Sequence, residues 1–262
     1  MVGGAPSGDQ VTAPRDRIVF LGHSTVLIEL DGTRLLTDPV LGSRVAHLRR
    51  QVAPAEPTIT ADPTAVLISH LHQDHLDLPS LRDLGRGIPL LVPRGAGPWL
   101  RRRGFSAVSE LSIGETVTEG ALSVTAVPAE HDGRRPPGRL RAQALGYLIR
   151  GARTVYFAGD TEIFEGMSTL TAQLDLALLP VAGWGPGLGP GHMDPLDAAR
   201  AAALLRPRVA VPIHWGTLLP IGAAARHRAS LAEPPRLFAE HMARVAPDVE
   251  VRILAPGEQT EL

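Results

Sequence analysis

The 262-residue chain contains no cysteine. Disulfides, thiolate metal sites and a cysteine nucleophile are thereby excluded, which leaves histidine and carboxylates as the metal ligands on offer. Lysine and asparagine are missing too, and all 26 Lys+Arg positions are arginine. A GC-rich coding bias accounts for that pattern, so single arginines carry little functional weight. With a net charge of −1, no global field gathers nucleic acid or anionic lipid, and any partner must be recognised locally. No nucleic-acid partner is expected. No apolar run approaches the roughly 18 residues that span a bilayer. The opening MVGGAPSGDQVTAP has neither the basic start nor the apolar stretch of a secretory signal. Residues 1–16 therefore read as a disordered leader ahead of a single domain over 17–262, with a cytoplasmic location as the default.

What the chain does have is 44% apolar residues, enough for a sizeable core. The first third reads as a β-meander: runs at 17–20, 25–30 and 34–37, with an Asp31-Gly32 turn between the last two. The apolar strand 65–68 stops where SHLHQDHLD begins. Further strands are expected at 90–92, 116–118, 122–127, 145–149, 154–157, 176–179, 209–213 and 249–254. Helices are expected at 98–103, 195–205 and 235–245. The second of these has a marked start, with Asp194 as cap, Pro195 in the first turn and Asp197 close behind. Strand-rich and βα segments in both halves argue for two packed sheets with outer helices. Residues 132–141 and 183–191 read as loops at the mouth of a site.

In His70-Leu71-His72-Gln73-Asp74-His75, four strong ligand residues fall within six positions directly after an apolar strand. Side chains two apart on extended backbone share a face, so His70 and His72 can serve one ion. Asp74 and His75, past the turn, can serve a second. Imidazole and carboxylate without thiolate suit Zn²⁺ and tolerate Mn²⁺ or Fe²⁺. Two ions need about six to eight ligands, and His131, Asp160 and His214 each follow a β-run. Taken singly, each of the three also reads as an ordinary loop residue.

The HxHxDH motif, a later histidine, the Ala158-Gly159-Asp160-Thr161 stretch and a final histidine together resemble the metallo-β-lactamase superfamily. Gly22-His23-Ser24-Thr25, Leu36-Thr37-Asp38-Pro39, Ile213-His214-Trp215-Gly216-Thr217 and Glu233-Pro234-Pro235 look like its N-acylphosphatidylethanolamine phospholipase D branch, with ascorbate-phosphate lactonases more distant. The resemblance runs from Ile18 to Leu254 and implies an α/β fold, the αββα sandwich of two mixed sheets flanked by helices. It also implies one metal site at His70, His72 and His131, a second at Asp74, His75 and His214, and Asp160 bridging two divalent ions together with the attacking hydroxide. Asp74 thereby counts among the catalytic residues.

By the same resemblance His192 stands near substrate, for oxyanion stabilisation or leaving-group protonation, unless it completes a helix cap. The helix that starts beyond it would favour an anion such as phosphate. His23 and Asp38 read as groups that orient ligands, or as core hydrogen-bonding residues. Arg49-Arg50, Arg134, Arg135, Arg139 and Arg141 could rim the site for an anion or form a solvated face. Trp184 and Leu188 could line an apolar entry. His47, His227 and His241 lie outside the motifs and read as structural.

The expected activity is hydrolysis of a small-molecule or lipid-like substrate, a phosphodiester or phospholipid-like compound first and a lactone or other acyl compound second. No membrane-binding helix stands out in the sequence. A redox or non-catalytic metal protein is the third reading. His72 argues against it, because diiron redox relatives carry Glu there.

Overall fold

The structure, a computed structural model, describes residues 16–54, 56–183, 188–227 and 231–262. Strands β1 (Arg17–Gly22), β2 (Thr25–Leu30) and β3 (Thr33–Thr37) form the meander. The turn between the last two sets both Asp31 (φ 49) and Gly32 (φ 73) left-handed, as a two-residue hairpin loop with the right-handed strand twist requires. A small hairpin of β4 (Arg44–Val45) and β5 (Leu48–Arg50) precedes α1 (Pro57–Thr60), β6 (Ala65–Leu67), α2 (Leu78–Leu84), β7 (Leu90–Pro93), α3 (Gly97–Arg101) and β8 (Val108–Leu111). The second half holds β9 (Thr116–Glu119), β10 (Leu122–Pro128), β11 (Leu145–Arg150), β12 (Thr154–Phe157), β13 (Leu176–Pro180), α4 (Pro195–Leu205) and β14 (Val209–Ile213). It closes with β15 (Leu218–Pro220), α5 (Ala224–His227), α6 (Glu233–Val245), β16 (Glu250–Val251) and β17 (Gln259–Glu261).

Two seven-stranded sheets result, ordered β17-β1-β2-β3-β6-β7-β8 and β16-β14-β13-β12-β11-β10-β9. Their inner faces share one apolar cluster that includes Ile18, Phe20, Val124, Tyr147, Phe157 and Val211. The outer face of the first sheet is covered by residues such as Leu81 of α2 and Leu100 of α3, and that of the second by Ala198, Ala202, Phe238 and Met242 of α4 and α6. The four layers are the αββα sandwich that the motifs implied. Burial on both faces explains why the parallel strands β6, β13 and β14 read as continuous apolar runs rather than alternating ones.

Several elements differ from the sequence reading. The expected strand 249–254 shrinks to two residues, and the polar β17 instead closes the first sheet by pairing with β1, Ile18 opposite Thr260. Helices α1, α2 and α5 and strands β4, β5, β8 and β15 are additional. For α2 a signal was present, since Asp77 accepts the Ser80 N–H at 3.0 Å and Pro79 lies in the first turn. Among the described residues no helix is long and apolar enough to cross a membrane.

Candidate metal centre

Strand ends that stop at one rim of the sandwich carry the candidate residues. Strand β1 ends at Gly22 before His23, β3 at Thr37 before Asp38 and β14 at Ile213 before His214, while β6 leads through Ile68 and Ser69 to His70. Three of these residues leave their strand in left-handed backbone, with φ 56 at His23, 33 at Asp38 and 62 at His214. Such conformations cost about 1–3 kcal/mol each and persist where the surroundings over-determine them. Here the His214 N–H donates to the His23 carbonyl at 2.7 Å and locks two of the turns together. Gly159 lets the Asp160 loop meet the end of β6, because a Cβ there would lie 2.6 Å from Ser69 Cβ.

The side chains fall into two groups. His70, His72 and His131 offer donor atoms within 4.8 Å of one another, and so do His23, Asp74, His75 and His214. In the first group His72 Nδ1 stands 3.0 Å from His131 Nε2, and in the second His75 Nε2 stands 3.3 Å from His214 Nε2. Asp160 lies between them. Its Oδ2 is 3.2 Å from His75 Nε2 and 3.9 Å from His70 Nε2, and its Oδ1 is 3.2 Å from His214 Nε2.

Four of the rings, His70, His75, His131 and His214, are aimed by their other nitrogen. The Nδ1–H of His75 donates to Asp38 at 2.7 Å, that of His131 to Gly191 O at 2.7 Å and that of His214 to Ala182 O at 2.5 Å. His70 Nδ1 meets Ser69 Oγ at 3.0 Å, and that hydroxyl and the Ser69 N–H both donate to Asp38. Asp38 thus orients His75 directly and His70 through Ser69, while His23 Nε2 holds Asp74 Oδ2 at 3.1 Å. The inward nitrogens are left for something else. His70 Nε2 and Asp160 Oδ1 are buried without a hydrogen bond, an arrangement that costs about 1–3 kcal/mol per atom unless a partner is supplied. Imidazoles aimed by outer hydrogen bonds around unsatisfied inward atoms fit divalent cations.

The electrostatics agree. Burial, reinforced by neighbouring imidazoles, holds His70 well below the ordinary imidazole range, His131 at about 4 and His23 at about 3; His72 is lowered as well. These rings are neutral near pH 7, the form that binds metal. At His75 burial pulls down, but Asp160 and Asp38 outweigh it and raise the ring well above its usual value. Burial opposes ionisation of Asp160 and Asp74, yet the surrounding imidazoles keep both carboxyls below the usual range.

His192 approaches from the side of Asp160, with Nε2 3.4 Å from Oδ2 and its ring 4.7 Å from that of His131. Burial lowers its pKa, but the Asp160 carboxylate beside it more than compensates and raises it. At the start of the helix beyond it, the Asp194 carboxylate already accepts the Asp197 N–H at 2.8 Å and competes with any anion there.

The arginine rim is corrected in two places. Arg135 donates through Nη1 to the carbonyls of Leu71 and Leu76, at 2.8 and 3.0 Å, and lies over the Trp99 ring. It braces the candidate metal-binding loop. Arg50 is buried and donates to the carbonyls of Leu21, Val40 and Gly42. Arg134 is exposed, 4.0 Å from Asp132. Leu188 is exposed, and Trp184 lies outside the described residues. The sequence reading missed Glu162, whose carboxylate accepts the Gly191 N–H at 2.6 Å and so anchors the residue whose carbonyl holds His131. No spacing pattern marks it.

The comparisons with known proteins point the same way. The profile of the β-lactamase superfamily domain matches residues 33–215. A UPF0173 metal-dependent hydrolase of Deinococcus radiodurans is 36% identical over 94% of this chain and 99% of its own length. N-acyl-phosphatidylethanolamine-hydrolyzing phospholipase D 1 of Caenorhabditis elegans is 31% identical over 76% of this chain and 63% of that protein. Among solved structures, Igni18, a metallo hydrolase from Ignicoccus hospitalis, superposes with a TM-score of 0.73 at 24% identity, covering 95% of this chain and 99% of that one. With this coverage and this fold, the chain belongs to the metallo-β-lactamase superfamily of hydrolases, in the β-lactamase superfamily-domain family.

Proposed function

We propose that the protein is a dinuclear metal hydrolase in which His70, His72 and His131 hold one divalent cation, Asp74, His75 and His214 hold the second, and Asp160 is shared. The observation that carries this reading is the convergence of imidazole nitrogens on one buried centre, with the outward Nδ1 atoms of His75, His131 and His214 hydrogen-bonded and His70 Nε2 and Asp160 Oδ1 left without a partner. An imidazole-rich set without thiolate suits Zn²⁺. When bound, the ions supply Lewis acidity and hydroxide at neutral pH. The chain's own part is orientation and proton handling. His23 fixes the Asp74 carboxylate, Asp38 fixes His75 and His70, and His192 is placed to hand a proton from Nε2 to the departing oxygen.

A phosphodiester or phospholipid-like compound is the first substrate class, supported by likeness to the nematode phospholipase D. An acyl ester or lactone is the second. It is favoured by a specific observation: Arg135 and the start of α4, two places for a phosphate, are occupied by internal hydrogen bonds. Zinc-loaded protein assayed with bis-p-nitrophenyl phosphate, a lactone series and a β-lactam separates the two. About two metal equivalents per chain and turnover in at least one class are expected. One iron per chain with no hydrolysis would overturn the reading.

A further inference from the structure

Beside the metal centre lies a cleft of 210 Å³, walled on one side by the hairpin tip Val45 to Leu48 and on the other by the segment His72 to Asp74 with Pro136. Both walls are fixed. Strand β5 pairs with β4 on one side and with β15 on the other in a separate three-stranded sheet, Leu218 opposite Arg50 and Pro220 opposite Leu48, and the Ile221 N–H donates to the His47 carbonyl at 3.0 Å. The tip itself is a two-residue turn with Ala46 left-handed at φ 49, a conformation that natural hairpins give to glycine or asparagine. Across the cleft Gln73 Nε2 donates to Pro136 O at 2.9 Å. The hairpin side presents Val45, Ala46 and Leu48 together with the imidazole of His47, whereas the opposite side ends in candidate ligands of both ions, His72 and Asp74. His192 is not part of this lining and meets Asp160 instead.

Resting on the hydrolase reading above, we infer that this cleft receives one compact apolar substituent of the substrate, an aryl ring or a branched alkyl group of similar bulk, and that the hairpin tip sets the enzyme's selectivity. Size suits one ring. An apolar cavity of about 150 Å³ admits a benzene ring, and a cleft of 210 Å³ accepts one with little to spare. Contact with His72 and Asp74 makes the cleft continuous with the reacting centre. A substituent seated there leaves the polar end of the substrate facing the metal ligands and His192.

Calorimetry of zinc-loaded protein with methyl- and phenylphosphonate, and with acetate and phenylacetate, tests this. For whichever headgroup binds, the phenyl member should bind roughly ten- to a hundredfold tighter, the scale of apolar pocket discrimination. His47→Trp, at an exposed position, should narrow the cleft and erase most of that ratio, and Leu48→Ala should shift preference toward a naphthyl ligand. Because Leu48 belongs to a small apolar cluster with Val40, Val45 and Leu218, its variant is checked by thermal melting, and His47→Trp decides if it fails to fold. Equal affinity of the methyl and phenyl members, or a ratio untouched by His47→Trp, overturns the inference while leaving the hydrolase reading intact. Failure of both headgroups to bind counts against the hydrolase reading instead. In that case ¹⁹F line broadening of fluorobenzene at millimolar concentration still judges the cleft. Broadening lost in His47→Trp supports the inference, and broadening that is absent or unchanged by the substitution refutes it.

Discussion

The half of the centre around Asp74, His75 and His214 is sealed, with relative exposures of 9%, 0% and 1%, whereas His72 and His131 in the other half are partly open. In the sealed half His214 leaves its strand in left-handed backbone, and a buried carboxylate, Asp38, aims His75 directly. In the open half Asp38 reaches His70 only through Ser69, while His131 leans on Gly191, Gly191 on Glu162, and the carbonyls of Leu71 and Leu76 around His72 on Arg135. The contrast assigns different duties. On the two-metal reading proposed above, the sealed half would be the scaffold for one ion, and the open half would be where substrate reaches the other.

The substitution that should erase the contrast is Asp38→Asn, because Asp38 serves His75 directly and His70 through Ser69. Loss of such an outer partner costs about 10- to 100-fold in metal affinity. Equilibrium dialysis should show weakened retention in both halves, and unchanged zinc binding would refute the keystone role. His72→Ala should act on the open half alone, leaving about one equivalent of metal and lowering turnover by at least about tenfold. Full activity in that variant contradicts the ligand assignment. Gly191→Ala is milder. A Cβ there would sit 2.7 Å from His131 Nδ1 at a φ of +82°, so turnover should fall several-fold with metal still bound in the sealed half. The smallest effect is expected from Asp194→Ala. It removes the α4 cap at a cost of about 1 kcal/mol, read as a lower melting temperature with metal content unchanged.

The sealed half was the more legible of the two in the amino-acid sequence, and the reason is local. His214 and Asp160 follow five- and four-residue apolar strands, whose composition announces where the chain reaches the rim. The cap at Asp194 and the left-handed Asp31-Gly32 turn were legible because their residue types match the backbone they adopt. The left-handed turns at His23, Asp38 and His214 were not, since none uses glycine. The hairpin and its partner β15 are two or three residues long, too short to show a period of two. Arg50 and Arg135 have the composition of surface residues and are spent on buried or half-buried carbonyls, a fate set by tertiary contacts alone.

The candidate ligands are divided between the sheets: His70, His72, Asp74 and His75 follow the first, and His131, Asp160 and His214 follow the second. Cations held there would act as rivets through the sandwich as well as reagents. Any species that binds only the folded state adds stability by mass action, about 2.7 kcal/mol at a free concentration a hundred times its dissociation constant. The melting temperature of this protein should therefore track free zinc, which ties its persistence to the metal supply around it.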